Sequence, residues 1–149
     1  MKRLLSIVIG LLIIAGCKKD NDEEQVVLPN AEQYVTWQIG TTKGEFIIGV
    51  DTISASRFGS LTEIIASSPT TQNFISALFS GNRAPGTYNS NMNMNINGVN
   101  YQGSNEPVRV TVNQFGDTGD FITGSYSGEL RDADFKRYAV KGYFKIRMR

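Results

Sequence analysis

The stretch YNSNMNMNINGVN, residues 88–100, leaves its own backbone few options. Asparagine occupies every odd position from Asn89 to Asn97, with Met92, Met94 and Ile96 between them. A repeat of two belongs to a strand with one face on a core, not to a helix. Asn97-Gly98 then supplies the two left-handed positions that a type I′ hairpin turn requires. A two-residue loop fixes the register, because a slip by one residue turns every side chain to the other face. Ile96 should face Val99, Asn95 should face Asn100, Met94 should face Tyr101, and Asn93 should face Gln102. Opposed residues share a face, so Met94, Ile96, Val99 and Tyr101 gather on one side. Asn93, Asn95, Asn100 and Gln102 gather on the other.

The remainder of the chain repeats the pattern in short runs broken by Gly, Asn, Asp and Pro. YVTWQIG sets Val35, Trp37 and Ile39 on one face, and GEFIIGVDTISAS continues in β-branched residues. SLTEIIAS suits a strand or a single helical turn. QNFISALFSG fits either spacing and is read as a strand, because Ser, Asn and Gly bound it closely. PVRVTVNQF turns Val108, Val110 and Val112 inward. DFITGSYSGEL does the same for Ile122, Tyr126 and Leu130, and YAVKGYFKIRMR follows, so these three form a meander. Eight to ten strands at such spacing predict one antiparallel all-β domain over residues 32–149, a sandwich or alternatively a barrel.

The N-terminus carries different information. Lys2 and Arg3 precede an apolar run, Leu4 to Ala15, which is short of the about 20 residues that a membrane-spanning helix needs and suits a secretory signal peptide over residues 1–16. It ends in IAGC, and Cys17 is the single cysteine. IAGC resembles a bacterial lipobox. The resemblance implies cleavage after Gly16 and acylation of Cys17, hence a protein attached to the membrane through lipid without crossing it. Residues 17–31, beginning CKKDNDEEQ, read as a flexible acidic tether. An acidic run after a lipidated cysteine is similar to the surface-export signal of Bacteroidota lipoproteins. This favours an outer-membrane protein exposed at the cell surface over one facing the periplasm.

NGVNYQGS, then VRVTVNQFGDTGDFITGSYSGEL, then GYFKIRM resemble the C-terminal half of small uncharacterised lipoprotein domains of the Bacteroidota. That resemblance implies a compact β domain on a lipid anchor and carries no catalytic residues. DTI at 51–53 is similar to an O-glycosylation signal of secreted proteins from the same group, which would modify Thr52.

Composition narrows the function. The chain holds 15 basic and 14 acidic residues, and loss of Lys2 and Arg3 with the leader tips the balance to about −1. That is no signature of a nucleic-acid binder. Histidine is absent, which removes the commonest general base and transition-metal ligand. With Cys17 acylated no thiolate remains, and the chain reads as a binder without cofactor or metal rather than an enzyme. Met92 and Met94 are read as core, not as a copper pair. Asp117, Asp120, Asp132 and Asp134 are read as turn chemistry, not as a calcium loop.

The candidate ligand site is the last strand. Lys141, Tyr143, Lys145, Arg147 and Arg149 share one face by period two, at steps of about 7 Å, with Arg109 on a neighbouring strand as an extension. Such a face suits an anionic glycan, such as an acidic polysaccharide, or lipid phosphates. It equally suits a solvated wall whose charges prevent edge pairing. The amide face of Asn93, Asn95, Asn100 and Gln102 suits sugar hydroxyls. The alternative role is that of an accessory subunit bound to another envelope protein.

Overall fold

The computed structural model describes residues 28–81 and 83–149. The expected leader, Cys17 and the expected tether as far as residue 27 lie outside the described residues. Ten strands make up the fold: β1 (Tyr34–Ile39), β2 (Thr42–Ile47), β3 (Thr52–Phe58), β4 (Leu61–Ser67), β5 (Phe74–Ser80), β6 (Gly86–Ile96), β7 (Val99–Gly103), β8 (Val108–Phe115), β9 (Phe121–Arg131) and β10 (Arg137–Arg147). The expectation of an all-β antiparallel fold is met. The two ambiguous runs, SLTEIIAS and QNFISALFSG, are the strands β4 and β5.

Alternation sets the two faces. Val35, Trp37 and Ile39 on β1, Val108, Val110 and Val112 on β8, and Ile122, Tyr126 and Leu130 on β9 are all buried, as are Met92 and Met94. They belong to one core cluster that runs through the whole barrel. The hairpin β6–β7 has the expected register: Asn93↔Gln102, Met94↔Tyr101, Asn95↔Asn100 and Ile96↔Val99. Asn97 and Gly98 lie at φ 53° and 81°, as a type I′ turn demands. Of the four residues on its apolar face, Met94 and Ile96 are buried, while Val99 at the turn remains exposed.

The strands follow one path, β2-β1-β10-β9-β7-β6-β5-β4-β3, with β8 paired to β6 and β9. β7 and β8 occupy a single position between β6 and β9. Gln102 pairs with Asn93 and Val108 with Ser90, so six residues advance here while β6 advances three. The surplus, around Ser104–Pro107, loops outward. The two ends of the path, β2 and β3, are consecutive in sequence. The path also closes where Ala55 bridges Met148 in parallel and Arg149 N–H donates to Ala55 O at 2.9 Å. Of the two expected architectures, this order describes the barrel, with the β1–β2 hairpin laid along β10 beside the closure.

Neighbours along the path run antiparallel, which assigns loops to two ends; the β2–β3 turn is not among them, since it joins two strands that run the same way. The upper end gathers residues 28–33, 59–60, 81–85, 116–120 and 148–149. The lower end gathers residues 40–41, 68–73, 97–98 and 132–136. At the lower end Asp132 organises its own turn. Its Oδ1 accepts from Asp134 N–H and Lys136 N–H, and its Oδ2 accepts from the Tyr138 hydroxyl at 3.0 Å. This is the turn chemistry expected of that aspartate.

Candidate functional site

Lys141, Tyr143, Lys145, Arg147 and Arg149 all face outward, while Gly142, Phe144, Ile146 and Met148 face the core. The five are nevertheless not equivalent. Arg147 is committed to the fold. Its Nη2 meets Glu32 Oε1 at 2.6 Å, its Nη1 donates to Gly119 O at 2.7 Å, and its guanidinium lies 4.7 Å from the centre of the Phe121 ring. Its backbone N–H donates to Gln33 Oε1 at 2.8 Å. Arg147 thus pins the segment leading into β1 to the β8–β9 loop. Arg149 stands apart at the upper end, beyond the last pair of the β9–β10 ladder.

What remains of the stripe widens sideways. β10 pairs with β9 at Lys141↔Ser127, and β9 pairs with β8 at Arg109↔Ser127. Lys141, Ser127 and Arg109 therefore form one row on the outer wall, the two cations about 10 Å apart at two strand spacings. The next row carries Tyr143, Ser125, Thr111 and Thr87, and the hydroxyls of Thr111 and Thr87 lie 3.1 Å apart. The third pairs Lys145 with Thr123, and the Lys145 ammonium sits 5.0 Å from the Phe121 ring centre. The result is a low plain of small hydroxyl side chains with Lys141, Lys145 and Arg109 around it and Tyr143 within it. Glu45, opposite Thr36 on the β2 edge, is the nearest acidic residue in these rows. A plain of this kind offers spaced positive charge and hydroxyl partners to an extended anion.

The amide face is also outward. Asn91 and Asn93 are exposed, and Asn95 Nδ2 donates to Asn100 Oδ1 at 2.7 Å, so part of the ladder is satisfied by itself. Thr52 is exposed at the start of β3.

A second basic feature is not marked in the sequence. At the upper end Arg57, Arg83 and Arg149 border an open depression of about 490 Å³, with Asp117, Thr118 and Met148 completing its wall. Arg57 donates from Nη2 to Gly116 O at 3.1 Å and stacks 5.0 Å from the Phe115 ring centre, yet its buried Nε–H has no acceptor. Arg83 holds φ 57°, a left-handed conformation that a side-chain-bearing residue adopts at a cost. Three residues from β3, the β5–β6 loop and the end of β10 meet there only because the sheet closes.

Compared with protein-family models, with curated proteins and with solved structures, the chain has no match.

Proposed function

We propose that the protein is a lipid-anchored binding module of the bacterial outer membrane, displayed at the cell surface, whose ligand is an acidic polysaccharide. The lipobox-like IAGC, the acidic run after Cys17 and the likeness of the C-terminal meander to Bacteroidota lipoprotein domains support the location. One observation carries the ligand class. Lys141 and Arg109, both exposed, flank Ser127 in a single row, and Lys145 extends the same charge along β10. Carboxylate or sulfate groups along a polymer meet these cations while sugar hydroxyls meet Ser125, Ser127 and Thr111. Each contact is solvent-exposed and individually weak, so binding depends on several acting together and falls as salt screens them.

The test is binding of polygalacturonate to the full-length protein, with neutral dextran as the control. Lys141→Glu combined with Arg109→Glu should abolish retention of the acidic polymer at low salt while Trp37 emission reports an intact fold. Equal retention by the wild type and the double variant would overturn the reading.

A further inference from the structure

We infer that the upper end of the barrel is a membrane-docking face, on which Arg57, Arg83 and Arg149 receive the phosphates of lipid headgroups. Three observations converge on that end. The first is the depression lined by Arg57, Arg83 and Arg149, with Asp117 the acidic side chain among its lining residues. The Arg57 Nε–H is buried without an acceptor and its Nη2 donates to Gly116 O, so Arg57 contributes charge to the depression rather than an open fork. Phosphate oxygens are strong, geometrically suited acceptors for the forks of Arg83 and Arg149, which are exposed.

The second is the distribution of exposed apolar side chains. Among the described residues, the exposed large apolar side chains Leu28, Phe58 and Leu61 lie at the upper end and Ile48 and Val50 on the β2–β3 turn beside the segment leading into β1, whereas Val99 and Phe135 lie at the lower end. Phe58 and Val50 expose 62% and 61% of their surface. Phe58 directly follows Arg57 on β3, and Ile48 N–H donates to Gln33 O at 3.1 Å, which places the β2–β3 turn against the segment leading into β1. Apolar side chains beside arginines are the composition of a surface that settles at the boundary between headgroups and acyl chains.

The third is the path of the chain. Glu32 and Gln33, which precede β1, are held at this same end by Arg147. The described chain therefore enters the barrel at the upper end, from the segment that follows Cys17 in the sequence. The acidic residues nearby, Asp51, Asp117, Asp120 and Glu32, moderate the charge. Glu32 is neutralised by Arg147, and the Asp51 carboxylate accepts from Ile47 N–H at 3.0 Å. Docking shares with the polysaccharide reading only the anchor at Cys17. The plain of Lys141, Lys145 and Arg109 is on the side wall and remains open when the upper end is seated.

The experiment reconstitutes the full chain in vesicles whose acyl chains are brominated, with phosphatidylglycerol or phosphatidylcholine headgroups. Brominated chains quench tryptophan that approaches them. Phe58→Trp should lose emission well beyond the Trp37 background in phosphatidylglycerol vesicles, less in phosphatidylcholine, and Phe135→Trp should stay at background. Arg83→Glu, in an exposed loop, should reduce the quenching of Phe58→Trp. Arg57→Glu added to it should bring the quenching to background. Co-flotation of the protein reports the anchor separately. The inference is overturned if protein that floats with the vesicles shows no quenching at position 58, equal quenching at 58 and 135, or quenching indifferent to Arg83→Glu.

Discussion

At the scale of single residues, the interior turns on a contact between Tyr126, Thr36 and Gly142. The Tyr126 hydroxyl is buried and donates to Thr36 O at 2.8 Å, linking β9 to β1 across the intervening β10. It passes over Gly142, where a Cβ would stand 2.1 Å from Thr36 O and 2.4 Å from the Tyr126 ring, so only glycine admits the crossing. Tyr126→Phe keeps the packing and removes the donor. It should cost about 1 kcal/mol of stability, read as a lower urea midpoint with unchanged slope. Burial raises the Tyr126 pKa far above its ordinary value of 10.0. The unfolded chain therefore releases this proton near pH 10 while the folded chain keeps it. Stability should hold below pH 10 and fall as pH rises beyond it. Tyr126→Phe should flatten that decline. Period two placed Tyr126 inward in the sequence. Its partner ninety residues away was not legible, because no local pattern encodes a contact across a third strand.

At the scale of elements, the β6–β7 hairpin was the most legible part of the chain. Its turn chemistry and its face pattern demanded the same register, and the four pairs are as expected. Its support was not legible. Asn73, at the foot of β5, is buried, and its Oδ1 accepts from Asn97 N–H at 2.9 Å, tying the turn to the neighbouring hairpin. Asn73→Ala should cost about 1 kcal/mol. It should raise amide exchange at Asn97 more than at Gly116 on the opposite end, which distinguishes lost turn support from global destabilisation. The terminal strand illustrates the opposite limit. Its outward face was readable from spacing, but spacing could not separate Arg147, spent on Glu32 and Gly119, from Lys141, which is exposed. The partners of Arg147 come from the other end of the sequence and from another hairpin.

At the scale of the molecule, closure is what the sequence withheld. Alternation predicts strands and faces, not the bridge between Ala55 and Met148 or the meeting of Arg57, Arg83 and Arg149. These arise only when β3 arrives beside β10. The first strand pairs with the last, Tyr34↔Lys145, so the wall is completed by contacts far apart in the chain. Refolding followed through Trp37 on β1 should therefore take on the order of milliseconds to seconds, checked by stopped-flow dilution from urea. A microsecond phase carrying the full signal would contradict this account. The shared position of β7 and β8 has a consequence of another kind. Three surplus residues are taken up around Ser104–Pro107, and pairing resumes in step on both flanks. Lengthening such a loop costs only about 0.6 kcal/mol per doubling. The wall thus contains a place where new sequence can be acquired without re-threading any strand, a natural point of growth for a lineage and a ready graft site for a displayed peptide.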